Sequence, residues 1–331
     1  MERRNFLKLL PLLSLLPLLD AAPRSAEGAS GSYLSQGKPN LIIFLFDALS
    51  ARHMSLYGYQ RETTPNLARF AERATVYHAH RAAGNYTPPG TASLLTGTYP
   101  WAHRAFHPGG NVAQNYAPRN LFRLLGESYQ RIAFPHNMYA HLLVHHFRQD
   151  VDLYVAPEEF SLVDGTYHDQ AFSNDVDVAF RSFQDLLFKH GDYPASLYLS
   201  LADKLNLLAQ ERIGFRRYEE LYPRGVANMV LYKVYFLLED IIDGVVDLLG
   251  KAHKPFLAYF HLFPPHEPYA PRREFVGMFD DGWAPATKEP HPLSPGEPQE
   301  MLNKWRTAYD EYVANVDAEF ARLSDFLDRT G

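Results

Sequence analysis

The sequence predicts an α/β fold: a doubly wound, mostly parallel sheet with helices on both faces. Two apolar runs, residues 41–46 and 255–263, are rich in β-branched and aromatic side chains. Continuous apolar runs are typical of strands that helices cover on both faces, whereas strands with one wet face alternate. Residues 65–74 and 309–327 carry apolar side chains at helical spacing. We expect these segments to pack back on the sheet as helices.

The composition narrows the class of protein. With 331 residues, 46% hydrophobic and 14% aromatic, the chain can form one large or two modest domains with a sizeable core. A formal net charge of -6 gives no reason to expect nucleic-acid binding. The absence of cysteine excludes disulfides and thiolate metal sites. Any metal must therefore bind oxygen and imidazole ligands, and 15 histidines are present.

Residues 1–22 are interpreted as a targeting segment. Paired arginines precede an apolar run over residues 9–19 that contains two prolines. This order resembles the twin-arginine export signal of bacteria, and the run is shorter than the about 20 residues of a stable membrane span. We expect the twin-arginine machinery to export the protein to the periplasm or the cell exterior, with the leader either cleaved or kept as an anchor. An amphipathic N-terminal helix is the alternative.

A linker and one large domain are expected after the leader. Residues 23–37 are rich in Ala, Ser and Gly, a composition typical of flexible linkers. Residues 38–331 then form the predicted α/β domain. Within it, helical periodicity over 176–189, 196–213 and 229–249 predicts a helical insertion at about residues 150–250, which we expect to shape specificity.

A carboxylate stands at the end of the first predicted strand. Asp47 directly follows the apolar run of residues 41–46. Open α/β sheets bind ligands at the carboxyl ends of their strands, so Asp47 is predicted to be a metal ligand. Alternatively, its side chain only caps the following turn.

A predicted nucleophile lies in residues 86–97, Tyr-Thr-Pro-Pro-Gly-Thr-Ala-Ser-Leu-Leu-Thr-Gly. The prolines and Gly90 are expected to prevent a helix, which can begin from Thr91 onward. Thr87 then lies just ahead of a helix N-terminus, where unpaired N–H groups and the helix dipole favour phosphate or sulfate. Asn85 is a candidate donor to a substrate oxygen. A plain tight turn with a turn-forming asparagine is the alternative.

Residues 92–100, Ala-Ser-Leu-Leu-Thr-Gly-Thr-Tyr-Pro, closely resemble the active-site motif of the sulfatase and alkaline-phosphatase superfamily. The resemblance places the family's nucleophile at Thr87. Sulfatases proper carry Cys or Ser there, matured to formylglycine, and Arg at the position of Thr91. Because the chain lacks cysteine, the cysteine-derived formylglycine cannot form. The resemblance therefore implies a covalent intermediate on an unmodified threonine.

The same resemblance implies a metal site. The family's first strand often ends in Asp-Asp, and Ala48 replaces the second aspartate here, which favours a single-metal site. The implied cofactor is one divalent ion, Ca²⁺, Mn²⁺, Zn²⁺ or Mg²⁺, held by Asp47 and Thr87.

Two other strand ends carry implied substrate contacts. A predicted strand over 129–134 leads to His136 and Asn137, where sulfatases hold a Lys and a His that contact the sulfate. The run over 255–263 leads to Pro-Pro-His-Glu-Pro-Tyr, similar to the family's Asp-Pro-His-x-Pro-Tyr. This likeness implies that His266 stabilises the substrate or protonates the leaving group. A histidine in an ordinary loop is the alternative.

Two functions are consistent with these features. The first is a metal-dependent hydrolase or transferase that acts on sulfate or phosphate esters of small molecules, glycans or lipids through a Thr87 ester. The unmodified threonine favours phosphorus, as in phosphodiesterases. The second is a non-catalytic exported protein that binds an anionic ester or glycan. It is favoured by Ala48, by Thr91, and by the lack of the Asp-His ligand pair that follows the final helix in the family, which makes the chain resemble a C-terminally truncated member.

Overall fold

A computed structural model describes residues 37–107, 109–163, 205, 208–209, 214–229, 234–285, 287 and 296–330. The predicted leader, nearly all of the predicted linker, the predicted helix over 176–189 and most of the one over 196–213 lie outside the described residues. The chain divides into two compact units, and the second, Pro39–Gly331, contains the strands and helices of the described residues.

The strands are β1 (Leu41–Phe46), β2 (Gln130–His136), β3 (Leu153–Tyr154), β4 (Ala227–Met229), β5 (Val234–Phe236) and β6 (Phe256–Leu262). The α-helices are α1 (Pro65–Ala71), α2 (Thr87–Thr96), α3 (Pro100–His103), α4 (Leu121–Leu125), α5 (Met138–Val144), α6 (Leu238–Lys251) and α7 (Gln299–Thr330). Short 3₁₀ helices lie at Ala51–His53, Ser55–Tyr57, Ala117–Arg119, Gly126–Ser128, His145–Asp150, Pro157–Phe160, Arg216–Tyr218 and Arg273–Phe275. None of the described helices is both long and apolar enough to cross a membrane.

Four parallel strands form the main sheet, in the order β1-β6-β2-β3. β4 and β5 form a separate antiparallel pair. Leu262 of β6 is in register with Phe46 on one side and with His136 on the other. Since β1, β6 and β2 end at the same level, the residues that follow these strands meet at one edge of the sheet.

Helices cover both faces of this sheet, which confirms the predicted α/β fold. Phe134 and Phe260 point to one face, where they join a core with residues of α6 and α7. Ala133 and Tyr259 point to the other face, where they join a core with residues of α2, α4 and α5. Neighbouring residues of β2 and β6 thus enter opposite cores, and β6 is buried along its whole length.

β1 is less buried than its sequence predicts. Its residues are half-buried apart from Leu41, which is exposed. Within the described part of the chain, β1 pairs with β6 alone, so its other side carries no strand there. A continuous apolar run therefore identifies a strand of a parallel sheet but does not distinguish a central strand from an outer one.

The helix predicted over residues 229–249 begins later than expected. Residues on either side of 230–233 pair as β4 and β5, and α6 starts at Leu238. The Val, Tyr and Phe of β5 favour a strand because β-branched and aromatic side chains pack well on a pleated surface. From Leu238 the helical periodicity holds, and α6 buries Ile241, Ile242 and Val245.

α7 follows the predicted helical stripe, but its middle is buried on all sides. Tyr312, Val316 and Leu323 pack into the core that α6 shares. The other sides bury four carboxylates, and an amphipathic pattern would place these in water. The four are Asp310, Glu311, Asp317 and Glu319.

Asp317 illustrates how these carboxylates are satisfied. Thr64 occupies the N-cap position of α1, but its side chain makes no capping hydrogen bond. Instead, Asp317 accepts hydrogen bonds from the backbone N–H groups of Asn66 and Leu67, each at 2.8 Å. A carboxylate on one helix thus caps the N-terminus of another, where it also meets the positive end of the helix dipole.

Replacing Asp317 with Ala is expected to lower the free energy of unfolding by about 2 kcal/mol, because the first turn of α1 loses its acceptor in a partly buried setting. Urea unfolding measures the loss as a lower midpoint at an unchanged slope. Asp328→Ala is the matched control, since this residue of α7 forms an exposed pair with Arg73 and is expected to leave the midpoint unchanged. Equal midpoints for the two variants would contradict the capping role.

Candidate active site

Asp47 leaves the end of β1 and is held by Asn137 at the end of β2. The Nδ2 group of Asn137 donates to Oδ2 of Asp47 at 2.5 Å. The Oδ1 atom of Asn137 accepts from the backbone N–H of Ala140 at 3.1 Å, so the same side chain caps α5. Because the side-chain oxygen of Asn137 is bonded to α5, its side-chain nitrogen is the atom that faces Asp47. The structure thus brings two of the predicted site residues together, and Asn137 orients the carboxylate.

The turn after Asp47 is held by α7. Ala48 has a φ of 57°, in the left-handed region that L side chains rarely adopt. The Tyr309 hydroxyl donates to the carbonyl oxygen of Ala48 at 2.7 Å and accepts from the N–H of Ser50 at 2.8 Å. The N–H of Asp47 donates to the carbonyl oxygen of Leu262 at 2.8 Å. The backbone that carries the carboxylate is therefore fixed from both sides.

His261, in β6, is a site residue that the sequence reasoning missed. Its Nε2 atom lies 3.9 Å from Oδ1 of Asp47, and its Nδ1 atom is hydrogen-bonded to the Tyr259 hydroxyl at 3.0 Å. The ring is buried, and Nε2 has no hydrogen-bond partner among the described residues. The sequence feature that could have identified it is a single histidine inside an otherwise apolar strand, next to the strand end.

Thr87 is the first residue of α2 and does not precede it. Tyr86 takes the N-cap position, so the expectation that the two prolines delay the helix is wrong. Proline fits the first turn because N–H groups there have no partner within the helix. The prolines also supply no N–H groups, and the N–H of Gly90 is bonded to the carbonyl oxygen of Tyr86 at 3.2 Å. The helix start therefore offers an anion fewer donors than predicted.

The surroundings of Thr87 are partly open. Its side chain is half-buried, and Asn85, just before it, is exposed. α2 packs against α5, the helix that Asn137 caps. Within the described part of the chain, no hydrogen bond joins Thr87 to Asp47 or His266. The structure places the predicted nucleophile beside the elements of the site without a direct link to the predicted metal ligand.

His266 lies in the loop after β6, as predicted, and is half-buried. Its Nδ1 group donates to the carbonyl oxygen of Glu267 at 3.0 Å, since a carbonyl can only accept. The ring stacks on Phe263, with 4.7 Å between centroids. These contacts fix the ring and leave Nε2 for another partner. His266 and Ala48 both line a cavity of about 410 Å³.

A protein-family model described as Sulfatase matches residues 39–331 of the chain. The chain belongs to the sulfatase family. An N-acetylgalactosamine-6-O-sulfatase of Bacteroides thetaiotaomicron is 32% identical over 98 residues, which are 30% of this chain and 19% of that protein. The N-acetylgalactosamine-6-sulfatase of Rattus norvegicus is 28% identical over 107 residues, 32% of this chain and 19% of that protein.

Two solved structures share the fold. The phosphonate monoester hydrolase of Agrobacterium radiobacter has a TM-score of 0.56 at 16% identity, and the match covers 89% of this chain and 60% of that one. The phosphonate monoester hydrolase of Silicibacter pomeroyi has a TM-score of 0.53 at 16% identity, with coverages of 89% and 60%. The matches thus span only part of the length of the curated relatives and of these solved chains.

Thr91, which the motif resemblance aligns with an Arg of sulfatases proper, makes a neutral contact in this structure. Thr91 is buried, and its side chain is hydrogen-bonded to Tyr259. Burial raises the pKa of the Tyr259 hydroxyl, the Thr91 hydrogen bond opposes this rise, and the negative charge of Asp47 adds to it. The phenol therefore stays protonated. A polar chain runs from Thr91 through Tyr259 and His261 to Asp47.

His136 lies in the core, whereas the sequence suggested a substrate contact. Its ring is fully buried and packs edge-on against Phe236, with centroids 4.6 Å apart. Burial lowers the pKa of His136 to about 3, with a smaller effect from His261. Neither ring nitrogen has a hydrogen-bond partner among the described residues. The ring is therefore neutral at pH 7, and it would have to leave the core to touch a substrate.

This burial predicts a loss of stability in acid. The pKa of His136 falls from 6.5 in the unfolded chain to about 3 in the folded protein. As the pH falls below the pKa of His136 in the unfolded chain, the unfolded state binds the proton before the folded state does. The stabilisation that is present above about pH 6.5 is therefore lost progressively toward pH 3. Between about pH 7.5 and pH 5, the contribution of this residue amounts to about 2 kcal/mol.

His136→Phe is expected to remove this part of the pH dependence, because phenylalanine fills a similar space without titrating. Urea unfolding at the two pH values, with a chelator present, measures the difference. Replacing the exposed His253 with Gln is the control and should leave the pH dependence as in the parent. An unchanged acid loss in His136→Phe would show that the folded protein accommodates the charged ring.

Proposed function

We propose that this sulfatase-family protein hydrolyses or transfers sulfate or phosphate esters, with Thr87 as the nucleophile. The observation that supports this most is the meeting of three strand ends, where Asp47 is fixed by Asn137 and faces Nε2 of His261, which has no hydrogen-bond partner among the described residues. Carboxylates held at the carboxyl edge of a parallel sheet are typical of ligand sites in α/β enzymes. The loop of His266 leaves the same edge.

The residues at this edge fit part of the shell of a divalent ion, which the sulfatase family generally uses. Oδ1 of Asp47 and Nε2 of His261 have no hydrogen-bond partner among the described residues. We propose that these two atoms and the Thr87 hydroxyl would hold the ion. Two oxygens and one imidazole nitrogen favour Zn²⁺ or Mn²⁺ over Ca²⁺ and Mg²⁺, which prefer oxygen alone. When bound, such an ion lowers the pKa of a coordinated hydroxyl and polarises the ester.

The proposed reaction has two displacement steps. The Oγ1 atom of Thr87 attacks the sulfur or phosphorus, its proton passes to water, and the bond to the alcohol oxygen breaks. The protonated Nε2 of His266 donates to the departing oxygen, since Nδ1 is engaged with Glu267. Water or a second alcohol then attacks the sulfur or phosphorus and gives its proton to Nε2 of His266, while the bond to Oγ1 of Thr87 breaks and Oγ1 takes a proton from water, which restores the hydroxyl. We propose Asn85, exposed just before α2, as a further donor to the ester oxygens.

Two features favour phosphorus over sulfur within this proposal. The nucleophile is an unmodified threonine in a chain without cysteine. The arginine that sulfatases place near the ester is replaced by Thr91.

The curated relatives are named as sulfatases of N-acetylgalactosamine, which supports a sugar ester as the substrate class.

The second candidate is a protein that binds an anionic ester or glycan without turning it over. This alternative is supported by the small number of candidate metal ligands among the described residues. In the part of the chain that the structure describes, no group of three or more His, Asp or Glu side chains is placed to hold a metal ion. Under this alternative, Asp47 would keep its structural bonds and Thr87 would serve only as a contact.

We further infer from the paired arginines that the protein acts outside the cytoplasm, after transport by the twin-arginine machinery. Replacing Arg3 and Arg4 with Lys is expected to leave the protein in the cytoplasm, because that machinery requires the arginine pair. Cell fractionation with a C-terminal tag measures the distribution. Export of the double variant at the rate of the parent would contradict this route.

A covalent adduct on Thr87 is the main prediction. Incubation of the purified protein with an activated phosphodiester and Mn²⁺ or Zn²⁺ is expected to add the mass of the transferred group. Thr87→Ala should show no adduct, and its turnover should fall at least about 10³-fold, as for the loss of other enzyme nucleophiles. Intact-protein mass spectrometry and peptide mapping measure the adduct. Thr75→Ala, at an exposed threonine, should behave like the parent.

The same assay tests the metal ligands. A chelator should abolish the adduct, and His261→Ala should raise the metal concentration needed for half-maximal adduct by about tenfold or more. No adduct on the parent protein, together with unchanged ligand affinity in Thr87→Ala, would support the binding protein instead. Unchanged metal dependence in His261→Ala would remove this histidine from the proposed ligands.

A further inference from the structure

The cavity next to the Asp47 turn adjoins the proposed reaction centre. Ala48, the residue after Asp47, and His266, the proposed proton donor, form part of its lining. The first turns of α7 contribute Trp305 and Arg306 to its lining. A volume of about 410 Å³ is in the range of pockets that hold small organic ligands. The cavity can therefore receive the part of a substrate that lies beyond its reacting ester.

Arg306 brings a positive charge to this cavity. Its Nη1 group is buried and has no hydrogen-bond partner among the described residues. By contrast, the buried Arg61 is paired with Asp281 at 3.0 Å and with Asp310 at 2.9 Å. Arg306 lines the cavity and forms no ion pair among the described residues, so an anionic group in the cavity can bind its guanidinium, as guanidinium groups bind carboxylates, sulfates and phosphates well.

His53 presents a second fixed polar group. Its Nδ1 group donates to Oδ1 of Asp310 at 2.7 Å, because a carboxylate can only accept. Its ring packs against Tyr59 and Tyr309, with centroid distances of 4.9 Å and 5.0 Å. Since Nδ1 is committed to the buried carboxylate, Nε2 is the atom that remains for a ligand. Asp310 thereby fixes both the tautomer and the orientation of His53, as in other sites where a carboxylate holds a histidine.

The rest of the lining suits a sugar ring. Trp305 is 46% exposed, and with Tyr269 it gives the cavity aromatic surface. Flat aromatic side chains offer large, rigid contact area to a ring. Ser50 and Glu267 add hydroxyl and carboxylate groups, which can bond the hydroxyls of a sugar but have no partner on a plain aryl ring.

We propose that this cavity is a specificity subsite for an acidic sugar, in which Arg306 binds a second anionic group of the substrate while the reacting ester lies near Asp47. The identity of the substrate rests on the proposed function, but binding to the subsite does not require turnover. The ligand class is a monosaccharide, or a sugar unit of a glycan, that carries two sulfate, phosphate or carboxylate groups.

Isothermal titration calorimetry with the Thr87→Ala protein tests the subsite without catalysis. The probes are galactose 2,6-disulfate, galactose 6-sulfate and inorganic sulfate. The disulfate is expected to bind at least tenfold more tightly than the monosulfate. Arg306→Met should abolish this difference with little effect on the monosulfate, while Trp305→Ala should weaken both sugars and leave inorganic sulfate unaffected.

Lys304→Ala is the matched control, because this exposed cation of α7 does not line the cavity. Thermal unfolding of each variant shows whether the fold is retained. The subsite proposal is overturned if the disulfate fails to bind, if it shows no advantage over the monosulfate, or if Lys304→Ala and Arg306→Met have equal effects. Binding as expected without an adduct on the parent protein would instead overturn the proposed catalysis and leave the subsite in place.

Discussion

The buried carboxylates of α7 are the constraint on which the rest of the structure depends. Asp310, Glu311, Asp317 and Glu319 lie within one helix and are all buried. A charge in the protein interior is tolerated only when donors surround it, and the loss of one partner from a buried pair costs several kcal/mol. These donors come from segments far apart in the chain, such as the start of α1, which donates to Asp317, and Arg272, which pairs with Glu319 at 3.1 Å. The loops that surround α7 therefore cannot move independently of it.

The same helix reaches the candidate site. Tyr309, one residue before Asp310, holds the left-handed turn that follows Asp47, and Arg306 lies one turn earlier, at the proposed subsite. A carboxylate that is to act as a ligand must keep one orientation, and groups on regular elements are held more accurately than groups on loops. In this protein the parallel strands set the position of Asp47, Asn137 sets its rotation, and α7 sets the backbone after it. The polar network of α7 and the chemistry of the strand edge are thus parts of one arrangement.

The polar chain from Thr91 to Asp47 contains no cation at the position that the motif resemblance aligns with the Arg of sulfatases proper. Thr91, the protonated Tyr259 and His261 contact one another in series. A site with less positive charge holds a dianionic group less firmly by itself and depends more on a bound cation and on contacts farther along the substrate. Arg306 is placed to make such a contact.

The sequence by itself determined the α/β fold, the strands that carry the site and the long C-terminal helix, because apolar periodicity reports how each segment is buried. It also placed Asp47 and His266 after strands, since polar residues that follow apolar runs must lie at strand ends. It failed where proline was compatible with the first turn of α2, and where β4 and β5 formed from residues that also suited a helix. Only the tertiary structure decided that Asn137 and His261 face Asp47, that His136 is buried, and that Nη1 of Arg306 has no hydrogen-bond partner among the described residues. These facts depend on the register of strands and the packing of distant helices, which local sequence patterns do not encode.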